Sequence, residues 1–387
     1  MRVLLDYRPA LREPSGVGEY AHQLAKALLA AFPAGTSNQP LDLTLFSSSW
    51  KDRIDRDAEL ERARVVDRRV PVRVLNLAWH RLEWPPVEAL AGGPFDVAHS
   101  PHPLLLPSRA ARVVTIHDLY FLTHPERSQA EIRRDYPALA RDHAHRADQI
   151  IVPSRFTALE VERRLEVPAD RISVCPHGRP DWTARTAPPQ GGGYILFLGT
   201  LEPRKNVGGL LDAYERLLSL SGPSRAGHDV RQRWPELVLA GKATTEARPW
   251  LDRIARPPLR GLVRHAGYVA PSHRRALFEG ARVLVQPSFE EGFGFPVLEA
   301  MTAGVPVVAA RRGALPEVLG DAGLLVDPDE PGQMASAIAR MLDDEGLATA
   351  CAASGAMRSR RFDWQQTAQR VYEAYGRAIE HRTCTSA

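Results

Sequence analysis

Residues 283–308 read Val-Leu-Val-Gln-Pro-Ser-Phe-Glu-Glu-Gly-Phe-Gly-Phe-Pro-Val-Leu-Glu-Ala-Met-Thr-Ala-Gly-Val-Pro-Val-Val. Two apolar runs, Val283–Val285 and Val305–Val308, have the length and β-branched content of buried strands. Between them Gly292, Gly294 and Pro296 prevent helix through the first part of the connection. Pro296 suits the first position of the helix that follows, and Gly304 ends it. The stretch therefore predicts a strand, a loop, a short helix and a second parallel strand, with Glu291 on the loop and Glu299 in about the first turn of the helix. Backbone N–H groups near Gly294–Val297 then point the positive end of a helix dipole at whatever lies beyond the strand ends, which suits a phosphate.

The same alternation runs along the whole chain. Further strands are expected at Val3–Asp6, Leu43–Phe46, Asp96–Ala98, Val113–Ile116, Ile150–Val152 and Ile172–Cys175, and then at Ile195–Leu198, Leu237–Leu239 and Leu324–Val326. Helical spacing separates them: Val207, Leu210, Leu211, Tyr214, Leu217 and Leu218 form one apolar stripe, and Met334, Ile338, Met341 and Leu342 a sparser one. This is the signature of α/β architecture with parallel sheets. Pro180, Pro188, Pro189 and Gly191–Gly193 mark a seam, so residues 1–178 form an N-terminal Rossmann-like domain, 179–193 a hinge and 194–361 a second Rossmann-like domain. A C-terminal helical segment, 362–387, can pack back on the N-terminal domain. Two such sheets facing each other place a ligand in the cleft beyond the strand C-termini. Ser221–Pro235 reads as a surface insertion.

Composition narrows the class. The 387 residues are 44% hydrophobic and 25% charged, which is ordinary for a globular protein. No apolar run approaches the roughly 20 residues of a membrane-spanning helix, and Asp6 comes too early for a signal peptide; a cytoplasmic protein is expected. Three cysteines without paired spacing exclude a disulfide framework or a thiolate zinc site. Residues 1–190 hold 26 basic and 24 acidic side chains, and the net charge is +4 over the chain. Neither half is a polyanion-binding arm, so nucleic acid is not an expected partner. The pI near 9.1 permits weak peripheral attraction to an anionic membrane.

Glu291, seven residues, then Glu299, spelled within Gly292-Phe-Gly-Phe-Pro-Val-Leu-Glu-Ala300 and followed by Ala303–Ala309, resembles the E-x7-E signature of the retaining nucleotide-sugar glycosyltransferases of family 4 (glycosyl transferases group 1), and the spelling Leu201-Glu-Pro-Arg-Lys-Asn206 is similar to that of bacterial mannosyltransferases of polysaccharide assembly. The resemblance implies a GT-B fold and donor-binding roles for Gly292, Phe293, Gly294, Phe295 and Glu299, with Glu291 on the hydroxyls of the transferred sugar and Glu299 on the ribose. Acceptor-only carboxylates suit hydroxyl donors. Gly199-Thr-Leu-Glu-Pro-Arg-Lys-Asn206 supplies a second match, in which Arg204 and Lys205 clamp and stabilise the departing diphosphate. Lys205 is one of only four lysines. The resemblance further implies a glycine loop over the donor phosphate at Gly16 and Gly18, opening a helix Glu19–Ala31. It places His117 beside the reacting sugar, where it is expected to project into the cleft, and Tyr268 and Val269 near the nucleobase. Ser154 and His177 are read first as capping and hinge residues. No metal and no resident cofactor are expected; the co-substrate is a nucleoside diphosphate sugar.

The chemistry implied is transfer of a hexose, first mannose from GDP-mannose and then glucose from UDP-glucose, to a hydroxyl of a glycan or lipid-linked acceptor. Other readings are a GT-B nucleotide-sugar epimerase, a phosphorylase for which Lys242 is the spare lysine, a sugar-nucleotide sensor, and an oxidoreductase resting on Gly16–Ala21, which formally fits G-x-G-x-x-A but does not follow its strand directly. Asp327-Pro-Asp329 reads as a turn rather than a metal motif, and Asp55–Asp57 as a charged helix face. His99, His102, His143 and His145 lack the carboxylate a metal site at such spacing needs. Trp79, Trp84, Tyr120 and Phe121 are expected in the core or against an acceptor, and Arg133–Arg134 on a solvated face.

Overall fold

The structure is a computed structural model and describes residues 1–11, 16–33, 40–54, 58–123, 136–220 and 234–386. Asp55–Asp57, Arg133–Arg134 and most of the 221–235 insertion lie outside these residues. The chain forms two compact units, Met1–Gly178 with Phe362–Ala387, and Arg179–Arg361.

The first unit is built on a parallel sheet of β1 (Arg2–Asp6), β2 (Asp42–Ser48), β3 (Arg64–Arg68), β4 (Val97–Ser100), β5 (Ala111–Thr115), β6 (Gln149–Val152) and β7 (Ile172–Val174), in the order β3-β2-β1-β4-β5-β6-β7. Both faces are covered, so β1 is apolar at successive positions rather than at alternate ones. Val3 and Leu5 pack with Tyr20, Leu24 and Leu28 of the helix Gly16–Ala31 and with Val371 and Tyr375 of the helix Trp364–Ser386. Leu4 faces the other way, toward Phe46, Trp79 and Val87.

The second unit holds β8 (Tyr194–Leu198), β9 (Leu237–Ala240), β10 (Val263–Gly267), β11 (Ala281–Gln286), β12 (Val307–Ala310) and β13 (Leu324–Val326), all parallel, in the order β10-β9-β8-β11-β12-β13. Its core joins Ile195, Phe197, Val283 and Val285 to the stripe Leu210, Leu211, Tyr214 and Leu217 of the helix Val207–Ser219. Each such side chain contributes about 1.5–3 kcal/mol by leaving water. Asn206 caps that helix, its Oδ1 accepting from Gly209 N at 3.2 Å.

Several sequence expectations shift. The strand expected from Val305 begins at Val307, because Pro306 has no N–H for the ladder and Val305 N donates to Ala300 O at 2.9 Å. Two strands, β3 and β10, were not expected. The helix expected from Glu19 starts at Gly16, so Gly16 and Gly18 occupy its first turn instead of forming a loop before it. Residues 179–193 are packed on the second unit: Arg185 N donates to Ala303 O at 3.1 Å, and Trp182 meets Phe278 with ring centroids 5.9 Å apart. Among the described residues no helix is long and apolar enough to cross a membrane.

Candidate active site

Strand order reverses between β8 and β11, which pair through Ile195–Val283 and Leu196–Leu284. The loops leaving the C-terminal ends of these neighbours diverge, and that is where open parallel sheets leave room for a ligand. The two loops are Gly199–Lys205 and Pro287–Gly294. Phe289 N donates to Arg204 O at 2.8 Å and ties one backbone to the other.

The tie brings Arg204, Lys205 and Glu291 together. Lys205 Nζ donates to Glu291 Oε1 at 2.5 Å, and Arg204 Nη1 lies 3.4 Å from Glu291 Oε2. Ser288 Oγ and Gln286 Nε2 also donate to Glu291 Oε1, at 2.8 and 3.0 Å. Arg204 Nε reaches Glu202 Oε1 at 2.7 Å. Burial pushes the Glu291 carboxyl up, but the Lys205 and Arg204 charges outweigh it, and with Ser288 they hold the group at about 2. The carboxylate is thus ionised and accepting at any physiological pH. Both cations of the pair already face carboxylates, so an incoming anion has to share them or displace Glu202, the more exposed partner.

Gly294 caps the helix Phe295–Ala303 with φ +101°, a conformation L side chains rarely adopt. The N-terminal donors are fewer than expected from sequence. Val297 N and Leu298 N both turn back to Gly294 O, at 3.0 and 3.2 Å, and Pro296 has no N–H. Any backbone contribution to an anion from Gly294–Val297 therefore narrows to Gly294 and Phe295. Gly292, Phe293 and Gly294 are buried in this loop, and the Phe293 and Phe295 rings meet edge to face at 5.7 Å. Glu299 is buried on the same helix, and Arg274 Nη1 donates to its Oε1 at 3.0 Å. Tyr268 and Val269 follow β10, with Lys242 Nζ 5.0 Å from the Tyr268 ring centroid.

Sequence reading missed Gln286, Ser288, Arg274 and Gly313. Gln286 carried a visible signal, a polar residue ending an otherwise apolar strand. Gly313 did not: it has φ +61°, and a Cβ there would stand 2.6 Å from Glu291 O and 2.7 Å from Glu291 N. Its absence of side chain lets Ala314 N donate to Glu291 O at 2.8 Å.

His117, Gly16 and Gly18 belong to the first unit. His117 follows β5 and its Nε2 lies 3.0 Å from Pro101 O; a carbonyl only accepts, so Nε2 carries the proton. Burial lowers the imidazole to about 4, leaving it neutral. Its ring meets Tyr20 edge-on at 4.9 Å, and His177 lies 5.6 Å away. The reversal of strand order in this unit falls between β1 and β4 and carries Asp6, Arg8 and His102, of which the sequence reading had singled out His102 alone, for its metal-like spacing.

The histidines with metal-like spacing disperse. His99 bonds Tyr375 and Thr115, His143 Nδ1 accepts from Leu105 N, and His102 faces Asp6. Asp327 and Asp329 share Arg312, and Asp329 N donates back to Asp327 Oδ1 at 3.1 Å, so the pair forms a turn. No group of three or more His, Cys, Asp or Glu among the described residues is placed so that it could hold a metal ion. Trp79 and Tyr120 are buried, while Trp84 is exposed.

Comparison with known proteins agrees with this arrangement of sheets. The Glycosyltransferase Family 4 profile matches residues 14–180 and the glycosyl transferases group 1 profile matches residues 192–344. The O-antigen chain mannosyltransferase B of Escherichia coli is 30% identical over 398 aligned residues, covering 97% of this chain and 99% of that protein. The serotype-specific mannosyltransferase WbdA of Escherichia coli is 28% identical over 71% of this chain, which spans about a third (34%) of that protein. Among solved structures, sucrose-phosphate synthase from Thermosynechococcus elongatus superposes with a TM-score of 0.74 at 19% identity, covering 97% of this chain and 98% of that one. Anabaena HepE in complex with UDP and glucose gives 0.66 at 19% identity over 100% of both chains. With two parallel-sheet units, both profiles matched and a full-length mannosyltransferase relative, the chain belongs to glycosyltransferase family 4 and has the GT-B fold.

Proposed function

We propose that this glycosyltransferase is a retaining hexosyltransferase that moves mannose from GDP-mannose, with glucose from UDP-glucose as the next candidate, to a hydroxyl of a glycan, free or lipid-linked. The observation that carries the reading is the Lys205–Glu291 pair with Arg204 beside it at the β8/β11 reversal. The choice of mannose is supported by the mannosyltransferases similar to this chain.

In this reading the donor diphosphate lies against Arg204 and Lys205, displacing Glu202 from the Arg204 fork. Lys205 has three N–H donors, so it can keep Glu291 while turning another toward phosphate. Glu291, held ionised, accepts from hydroxyls of the sugar, Glu299 accepts from the ribose, and Tyr268 and Val269 border the base. The C1–O bond to the diphosphate breaks as the acceptor oxygen bonds C1 on the same face, and the acceptor proton passes to the departing phosphate oxygen. The two cations stabilise the negative charge that develops there without a metal ion. His117, neutral with Nε2–H committed to Pro101, presents Nδ1 as an acceptor in the first unit.

Thermal stabilisation by GDP, UDP, ADP, GDP-mannose, UDP-glucose and NAD, each with and without EDTA, tests the donor. A ligand at 100 times its Kd adds about 2.7 kcal/mol. The expected result is a shift with GDP and GDP-mannose, insensitive to EDTA and lost in Arg204→Ala. Stabilisation by NAD alone overturns the reading, and a shift confined to UDP compounds overturns the choice of mannose. Proton NMR of the first product reads the anomeric configuration; inversion at C1 overturns retention.

A further inference from the structure

The helix Phe295–Ala303 buries every residue from Val297 to Ala303, and only Glu299 and Thr302 among them are polar. The Thr302 hydroxyl returns to its own helix, donating to Leu298 O at 2.8 Å. Glu299 instead takes a cation from another helix, Pro271–Glu279: Arg274 Nη1 donates to its Oε1 at 3.0 Å, with the two side chains 16% and 7% exposed. A carboxylate removed from water keeps its charge only when it is paired in this way.

Arg274 stands against local preference. Residues 272–275 read Ser-His-Arg-Arg, so the basic side chains lie near the N-terminal end of their helix, where the dipole favours carboxylates and the first turn holds none. The neighbouring Arg275 shows the ordinary use of such a residue. It is half-exposed and pairs with Glu279 one turn on, Nε to Oε1 at 2.8 Å. Arg274 turns inward and crosses to Glu299. A clamp between two helices does not require this, because apolar side chains of similar volume serve stability as well as a buried ion pair does. What they cannot supply is a fixed, ionised acceptor.

We propose that Arg274 is a positioning residue for donor selection: by holding one oxygen of Glu299 it keeps the carboxylate ionised and fixed in orientation, so that both hydroxyls of the donor ribose are read. An ionised carboxylate offers about four lone-pair sites and no donor, so the bond to Arg274 leaves room for two hydroxyls. The helix that carries Arg274 begins directly after Tyr268 and Val269. The segment assigned to the base is therefore continuous with the residue that sets the acceptor for the ribose. This role presupposes the donor reading, in which Glu299 meets the ribose.

The test is titration calorimetry of the full chain with GDP against 2′,3′-dideoxy-GDP and with UDP against 2′,3′-dideoxy-UDP. The parent is expected to prefer the ribonucleotide about tenfold or more in the pair that it binds, from hydrogen bonds to a charged acceptor. In Arg274→Ala and in Arg274→Met, which keeps most of the packing, that preference should fall toward one. The fall should come from weaker binding of the ribonucleotide at unchanged affinity for the dideoxy form. Arg274→Lys should restore part of the preference, and Arg275→Ala should match the parent. A ratio unchanged in Arg274→Ala and Arg274→Met overturns the proposal while the donor reading stands. Equal weakening of both members of a pair overturns it in favour of a clamp between helices. A parent without preference overturns the ribose role of Glu299, and a parent that binds none of the four nucleotides overturns the donor reading itself.

Discussion

Each unit reverses its strand order at one pair of neighbours, and each places a buried carboxylate among cations there, yet the two clusters are built differently. At the β1/β4 reversal Asp6 takes a fork from Arg8, two residues away, with Nε at 2.8 Å and Nη2 at 2.7 Å, and His102 Nε2 lies 3.3 Å off. Arg8 is occupied on every side: Asn76 takes Nη1, and the guanidinium sits 4.7 Å from the Trp79 ring centroid. Burial alone would raise the Asp6 carboxyl, but Arg8 and then His102 hold it well below the usual carboxylate range. At the β8/β11 reversal, by contrast, the cationic partners of Glu291, Lys205 and Arg204, come from a loop 86 and 87 positions away. A fork closed locally and stacked in place holds its own strand end; the pair assembled from two diverging loops is the candidate site.

Three measurements can break or sharpen that contrast. The largest effect is expected from Asp6→Ala, which strands Arg8 in the core and should cost about 3–5 kcal/mol of stability while leaving nucleotide-induced stabilisation intact. Glu291→Ala should do the reverse, abolishing discrimination between sugar nucleotides at a smaller loss of melting temperature. Similar behaviour of the two variants in a thermal melt with and without nucleotide would erase the distinction.

Next comes acid. His99, His117, His143 and His177 of the first unit are all lowered from 6.5 by burial, to about 3 for His99 and about 4 for His117 and His143. A native state that binds fewer protons than the unfolded chain is stable above the unfolded value and weakens below it. The first unit should therefore lose stability as pH falls from 6.5 toward 4. Glu291, lowered from 4.5 to about 2, weakens the second unit only below 4.5. Hydrogen exchange against pH should show protection falling first in the sheet β1–β7; simultaneous loss would refute the assignment. The smallest effect is expected from Ser288→Ala, which removes one hydrogen bond to an ionised Glu291, about 1.5–3 kcal/mol. It should raise the pH at which nucleotide stabilisation fades, whereas the same change at Ser108, on Glu88, should not.

Strands spelled as an unbroken apolar run are legible wherever they lie in the sheet. The outer strand Leu324–Val326 matches β13 residue for residue, and the central Ile195–Leu198 misses only Tyr194. The two that escaped, Arg64–Arg68 and Val263–Gly267, are outer strands of their sheets. With solvent on one side they carry charges at Arg64, Asp67, Arg68 and Arg264, and so lack the apolar run that announces a central strand. The candidate site was legible where one short motif supplied it, as in Glu291 with its glycines. What could not be seen was the meeting of Lys205 with Glu291, because it depends on β8 and β11 becoming neighbours through a reversal of order. Gly313 is illegible for the same reason, since its need for no side chain arises only against the Glu291 backbone.

The helix Trp364–Ser386 also sets a timetable. Ala368, Val371, Ala374, Tyr375 and Ala378 are fully buried in the core of the first unit, although residues 179–361 separate them from the rest of it. Domains usually fold in the order the ribosome makes them. Here the unit begun first has to hold an unfilled groove until residues 364–378 emerge, while Arg179–Arg361, continuous in the chain, is already complete. The part that carries the candidate donor residues is thus the first able to finish folding, and the part begun first is the last to close.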